Sequence, residues 1–164
     1  LKKRRPSVIL PLESTLEPGD AMSTADKLFP PRPLLLVDDE IDLLHSFEWV
    51  LRSHGINHIV LCSDARQVEG LLAERTFEGI LLDLMMPGIG GEDLLELIIR
   101  LRPETPVLIA TAVSQVETAV RCMQKGAFDY LVKPVDENRL VTAVRRILDL
   151  SALRCGKQRQ SHLL

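Results

Sequence analysis

From residue 34 onward the apolar positions fall into two alternating patterns. One is the short continuous run: Leu34-Leu35-Leu36-Val37, then residues 57–62, 79–83, 106–111 and 129–132. Unbroken apolar runs of this length mark strands covered on both faces. The other pattern repeats every three or four residues. Leu43, Leu44, Phe47, Val50 and Leu51 place one apolar stripe on a helix over 41–54, which Gly55 stops. A second helix is expected to about residue 74, capped by Ser63 or Asp64, and a third over 92–101, closed by Pro103. A fourth over 114–125 opens on the capping box Ser114-Gln115-Val116-Glu117 and ends at Gly126. The fifth starts at Asp136, as its cap, and runs to about Leu150. Strand and helix thus alternate five times. The pattern predicts a doubly wound α/β sandwich, a five-stranded parallel sheet with helices on both faces.

The beginning of the chain breaks this pattern. Six of the ten prolines lie within the first 33 residues, and no period of two or 3.6 is sustained there. The expected organisation is a mobile linker or tag-like leader over 1–32, a folded domain over 33–151 and a C-terminal tail over 152–164. The stretch 7–12 could instead be the last strand of a preceding domain.

Composition narrows the classes. The chain has 164 residues, 46% apolar and 26% charged, which is globular. Its 20 basic and 23 acidic residues leave a net charge of −3, against a strongly basic nucleic-acid binder. The basic residues near both ends (Lys2 to Arg5; Arg145, Arg146, Arg154, Lys157, Arg159) read as solvated faces and tails, so no direct nucleic-acid contact is expected. Cys62, Cys122 and Cys155 are odd in number and widely spaced, which argues against a disulfide framework or a zinc site. They read as buried thiols in a reducing cytoplasm. No apolar run approaches the ~20 residues of a membrane span, so no membrane insertion is expected. Pro6 and Pro11 interrupt the apolar start, which is not read as a signal peptide. His45, His54, His58 and His162 lack ligand spacing and read as surface residues.

The strand ends carry the chemistry. In a doubly wound sheet, ligands bind outside the carboxyl ends of the strands. The first predicted strand ends on Asp38-Asp39, the third on Asp83, the fourth on Thr111 and the fifth on Lys133. Taken singly, a strand-end Asp is an ordinary helix cap, and Lys133 an ordinary solvated charge. Together, three carboxylates, a hydroxyl and an ammonium meet at one rim. The three like charges repel, which raises a pKa or requires a cation. With no Cys or His among them, a hard ion such as Mg²⁺ fits better than zinc. A metal, a Lys and a hydroxyl beside a carboxylate suit phosphoryl transfer to that carboxylate.

Four motifs then fall in order: Leu36-Val37-Asp38-Asp39-Glu40, Leu82-Asp83-Leu84-Met85-Met86-Pro87-Gly88, Thr111-Ala112, and Asp129-Tyr130-Leu131-Val132-Lys133-Pro134. This set resembles the receiver domain of two-component response regulators, over roughly residues 33–150. The stretch 124–130 is similar to receivers of the nitrogen-regulation class and of hybrid sensor kinases. The resemblance implies a flavodoxin-like fold and Mg²⁺-dependent phosphorylation of Asp83 by a histidine kinase or phosphotransfer protein. It implies that Asp39 and Asp83 bind Mg²⁺ directly, Asp38 through water, and Met85 through its backbone carbonyl. Lys133 would pair with a phosphoryl oxygen, after a cis bond to Pro134. Thr111 would be the switch hydroxyl. Tyr130 would be the switch aromatic, turning inward from an exposed rotamer. The small Ala112 would leave room for the phosphoryl group. The surface of the fourth helix, fifth strand and fifth helix would change and be read by a partner or by a second copy in a homodimer. The expected role is signalling rather than turnover, although such domains catalyse their own phosphotransfer and dephosphorylation. One departure is visible. The loop Pro87-Gly88-Ile89-Gly90-Gly91 lacks the Asp usual before its last glycine, and Glu92 or Asp93 is expected to serve the helix start.

Three other readings fit the sequence less well. A flavin-binding carrier would need a Ser/Thr/Gly loop after the first strand, where this chain has three acids. A haloacid-dehalogenase-type phosphatase would need an acid two residues after the nucleophile, where Met85 stands. A pseudo-receiver, a pure interaction module, would not need all five site residues. Three settings fit a receiver: a free regulator, a part of a transcription activator, or the C-terminal receiver of a chain that carries its own kinase core. The proline-rich leader and short tail favour the last.

Overall fold

A computed structural model describes residues 8–9 and 27–161 of the chain. Its elements, in order, are β1 (Val8–Ile9), β2 (Leu34–Val37), α1 (Ile41–Ser53), β3 (Ile59–Cys62), α2 (Val68–Glu74) after a 3-10 turn at Ala65–Gln67, β4 (Gly79–Leu82), α3 (Gly91–Leu101), β5 (Val107–Thr111), α4 (Val116–Gln124), β6 (Asp129–Val132) and α5 (Glu137–Ser161). The sheet order is β1-β3-β2-β4-β5-β6. Strands β2 to β6 are parallel, as the continuous apolar runs require.

Alternate residues of each strand face opposite layers. Leu34, Leu36, Leu61, Leu81, Leu108 and Leu131 pack against α1 and α5 through Leu44, Phe47, Leu51, Val144 and Ile147. Leu35, Val37, Val60, Ile80, Leu82 and Ile109 pack against the other three helices through Leu71, Leu94, Ile98 and Cys122. Two cores therefore clamp one sheet, and the site rests on a rigid floor.

Several local expectations hold. Asp64 accepts from the Arg66 N–H, and Asp136 accepts from the Arg139 N–H, so both act as caps. Others change. The Ser114 capping box does not form: the backbone is still extended at Gln115, and α4 begins at Val116 with no side-chain cap. The last helix does not stop near Leu150. It continues to Ser161, because Ala152, Leu153 and Arg154 are good helix formers and no proline intervenes. Arg32 reaches Ser151 Oγ (3.3 Å), and Arg154 donates to the Glu104 carbonyl. The expected tail is thus helical from 152 to 161.

The leader also contributes. Val8–Ile9 adds antiparallel to Leu61 and Cys62 on the β3 edge, within the same sheet rather than in a preceding domain. An edge strand offers an open row of N–H and C=O groups that such a segment satisfies. The carbonyl of Phe29 accepts from the N–H groups of Asn57 and His58. The expectation of a mobile leader otherwise falls outside the described residues. His54 and His58 are half-buried rather than on the surface, with ring nitrogens 3.0 Å from the Val50 carbonyl and 2.9 Å from the Pro30 carbonyl. Cys62 and Cys122 are buried, but Cys155 is exposed on α5. Among the described residues no helix is long and apolar enough to cross a membrane.

Candidate functional site

The sheet register assembles the site. Val37 pairs with Leu82, so the next residues on each strand, Asp38 and Asp83, emerge side by side. The Asp83 N–H donates to the Val37 carbonyl (3.0 Å), and the Asp38 N–H donates to the Cys62 carbonyl (3.1 Å). Thr111 pairs with Val132, and its carbonyl accepts from the Lys133 N–H (2.8 Å). Chain order reverses at β2, which has β3 on one side and β4 on the other. Ligands settle at such a switch point.

Carboxylate oxygens of Asp38, Asp39 and Asp83 lie within 4.8 Å of one another. Asp38 and Asp83 are buried, while Asp39 is exposed. Asp38 Oδ1 accepts from the Glu40 N–H (2.9 Å), and its Oδ2 accepts from Lys133 Nζ (2.6 Å). Asp83 Oδ1 accepts from the Met85 N–H (3.1 Å), and its Oδ2 lies 3.3 Å from Lys133 Nζ. The Lys133–Pro134 bond is cis. Burial pushes the Asp38 carboxyl up from its ordinary pKa, against the downward pull of Lys133 and the Glu40 N–H. Burial works against the Lys133 ammonium too, but Asp38 and Asp83 outweigh it and hold its pKa above the usual lysine value. Three carboxylates thus face one ammonium. The excess negative charge, the all-oxygen donor set and the solvent-open Asp39 suit a hard divalent ion that keeps part of its water shell.

The remaining predicted residues converge on the same rim. Thr111 is fully buried at the end of β5, and its Oγ1 lies 3.4 Å from the Val113 N–H. Ala112, the next residue, is exposed. Met85 is 61% exposed. Tyr130 departs from the expected exposed rotamer. Its ring is half-buried against the core that holds Cys122, and its hydroxyl donates to the Val113 carbonyl (2.7 Å). That carbonyl gives the phenol a polar partner at the inner end of the ring, which favours the inward position.

Two features escaped the sequence reading. Gly91 is fixed by close approach: a Cβ there would fall 2.2 Å from the Leu84 carbonyl oxygen. Glu92, expected only to serve the α3 dipole, forms ion pairs with Arg121 of α4 (2.8 Å) and with Lys125 at the C-terminal cap of that helix (3.0 Å). The two bases hold its carboxyl well below the usual range, at about 2. A signal existed: Glu92 and Glu96 on α3, and Arg121 on α4 with Lys125 at its C-terminal cap, each repeat at four residues and so form facing stripes of opposite charge.

Comparison with known proteins converges on one group. Residues 34–145 match the family described as the response regulator receiver domain. The chain is 39% identical over 115 residues to the transcriptional regulatory protein ZraR of Escherichia coli O157:H7, covering 70% of this chain and 26% of that protein. It is 38% identical over 123 residues to the alginate biosynthesis transcriptional regulatory protein AlgB of Pseudomonas aeruginosa, covering 73% of this chain and 26% of that one. The chain therefore spans about a quarter of the length of these curated relatives. Among solved structures, the signal receiver domain of a putative Luxo repressor protein from Vibrio parahaemolyticus is similar, with a TM-score of 0.70 and 32% identity over 75% of this chain and 94% of that one.

Proposed function

The chain belongs to the response regulator receiver domain family, the phosphoacceptor module of two-component signalling, and from that premise we propose that Asp83 is the residue phosphorylated. The observation that carries this reading is the convergence of Asp83, Lys133 and two further carboxylates at the carboxyl ends of β2, β4 and β6. An Asp83 oxygen attacks the phosphorus of a phosphohistidine. The P–N bond breaks and the imidazole leaves with a proton, giving an aspartyl phosphate.

Asp39 and Asp83 would hold Mg²⁺ directly and Asp38 through water, with the Met85 backbone carbonyl completing the protein ligands. When bound, the ion supplies positive charge to the transferring phosphoryl oxygens. Lys133 turns from Asp38 toward one of those oxygens. The Thr111 hydroxyl donates to another, and a charge-assisted bond of this kind is worth about 1.5–3 kcal/mol. Tyr130, already seated on the Val113 carbonyl, fills the space behind Thr111 and fixes the loop into α4.

The output surface is α4, β6 and α5. Val116, Val120 and Met123 on α4 and Val132 on β6 are exposed there, which supports homodimer formation through this face. The phosphodonor partner is a histidine kinase or phosphotransfer protein. The transcriptional role printed for the relatives supports a receiver from a longer cytoplasmic regulator over one attached to a kinase core. Direct contact with nucleic acid is left to the rest of such a regulator.

The test is intact mass after incubation with Mg²⁺ and acetyl phosphate. The parent should gain one phosphoryl group, lose the gain on metal chelation, and show none in Asp83→Asn. A gain that persists in Asp83→Asn would remove Asp83 from the role.

A further inference from the structure

Helix α4 is thinly attached. Of its nine residues only Cys122 is buried. The loop that leads into it is tied on one side by the bond from Tyr130 to the Val113 carbonyl. On the other side stands a charge cluster with no part in phosphoryl chemistry. Arg121 Nε lies 3.2 Å from both Glu92 oxygens, and its Nη2 lies 2.8 Å from Oε1. Lys125 Nζ bridges Glu92 (3.0 Å) and Glu96 (2.6 Å). Arg121 Nη2 also reaches Thr118 Oγ1 at 3.1 Å. Two acids and two bases balance: both acids belong to α3, while Arg121 belongs to α4 and Lys125 caps its C-terminal end.

Glu92 is also joined mechanically to the candidate site. Its neighbour Gly91 is pressed on the backbone of Leu84, the residue after Asp83. Beside it lies a cleft of about 330 Å³, lined by Leu84, Gly91, Glu92, Val113 and Thr118. The cleft is free volume next to the start of α4, so the helix has somewhere to move. Glu92 lines this cleft and, from it, holds Arg121 of α4.

We propose that Glu92 is a positioning residue: its ion network with Arg121, Lys125 and Glu96 fastens α4 to α3 and holds Tyr130 inward before any phosphoryl group is present. The proposal deepens the switch reading above and rests on it only where phosphorylation is measured. A network of part-exposed ion pairs biases a two-state equilibrium modestly, and salt weakens it. The bias appears as a shift in population, not as a loss of fold.

Tyr130 is the only tyrosine of the chain, so its ring resonances report its position without overlap. The experiment compares the full 164-residue chain, unphosphorylated, with Glu92→Gln, Arg121→Gln and the double variant. Arg52→Gln, which breaks the exposed α1 pair with Glu48, removes the same charge elsewhere and serves as control. Each single variant should move the inward-to-outward ratio of Tyr130 roughly two- to fivefold outward. The double variant should go no further than the larger single effect, and Arg52→Gln should not move it. High salt should move the parent in the same direction. Unchanged Tyr130 resonances in both single variants, or effects that simply add, would overturn the proposal. Phosphorylation by acetyl phosphate is read alongside, and the freed variants should react more slowly by the same factor. If Asp83 is not the phosphoacceptor, the Tyr130 shifts persist without any Asp83-dependent mass gain, so the two readings fail separately.

Discussion

The ammonium of Lys133 lies 2.6 Å from Asp38 Oδ2 but 3.3 Å from Asp83 Oδ2. The lysine is therefore seated on Asp38 and leans toward Asp83, the proposed phosphoacceptor. Both acids are buried, so Lys133 is their only charge partner among the described side chains. Lys133→Met should leave Asp38 buried and unpaired. Without metal it should destabilise the fold by about 1–3 kcal/mol at neutral pH, since Asp38 can relieve part of the cost by taking a proton. Denaturant titration measures this. The variant should also fail to show the Tyr130 change on phosphorylation.

Asp38 gives a pH dependence of known sign. Its carboxyl is raised in the folded chain, so the folded state holds more proton than the unfolded state just above the ordinary Asp range. Stability from this group therefore falls as pH rises through that window, in chelator. Asp38→Asn should flatten the slope and raise the thermal midpoint at neutral pH. Added Mg²⁺ should raise the midpoint of the parent in proportion to ln(1 + [Mg²⁺]/Kd), and Asp38→Asn or Asp39→Asn should reduce that rise. A midpoint indifferent to Mg²⁺ in the parent would remove the metal from the site.

The fold and the meeting of the candidate residues at one rim were legible because their signals are local. A run such as Leu34 to Val37 is apolar on both faces, and parallel register then places Asp38 beside Asp83 without further information. What stayed hidden depends on partners distant in sequence. The Ser114 box is a good cap on paper, but the backbone is still extended one residue later, at Gln115. Tyr130 turns inward because Val113, seventeen residues earlier, offers a carbonyl. Val8–Ile9 becomes a strand only because the β3 edge is open. Gly91 reads as one more loop glycine until Leu84 is placed against it.

Two glycines separate the conformational and steric roles. Gly91→Ala would drive a Cβ to 2.2 Å from the Leu84 carbonyl oxygen and 2.3 Å from its Cα, both backbone atoms that cannot rotate away. It should cost about 2 kcal/mol or more and slow phosphorylation, because Leu84 follows Asp83 directly. Gly70→Ala, in the exposed middle of α2 with nothing within 4 Å of the new Cβ, should stabilise by about 0.5–1 kcal/mol. Equal urea midpoints for the two variants would contradict the close-approach account.

The Glu92 network carries its own acid signature. Its carboxyl sits at about 2 in the folded chain against an ordinary 4.5. A lowered carboxylate contributes stability that is complete above 4.5 and is lost as pH falls toward 2. The groups are part-exposed, so the contribution is about 1 kcal/mol or less. The stability difference between the parent and Glu92→Gln should be constant at neutral pH and close to zero near pH 2. A difference that grows in acid would reverse the sign and contradict the ion pairing.

Thr111 and Tyr130 test the last step, from phosphoryl group to surface. Tyr130→Phe keeps the ring and removes the donor to the Val113 carbonyl, at a cost of about 1 kcal/mol. It should accept phosphate normally but leave the loop into α4 less fixed, seen as faster hydrogen exchange at Val113 and Ser114. Thr111→Ala takes the hydroxyl from the end of β5 and leaves Asp83, Lys133 and the acids in place. It too should gain one phosphoryl group by mass. In the parent, phosphorylation should shift the residual outward population of Tyr130 to the inward state; in Thr111→Ala that shift should be absent. Thr111 is fully buried at the end of β5, two residues beyond Ile109, the strand partner of Tyr130. A full Tyr130 response in Thr111→Ala would mean that the signal reaches α4 by another route, through Leu84, Gly91 and Glu92.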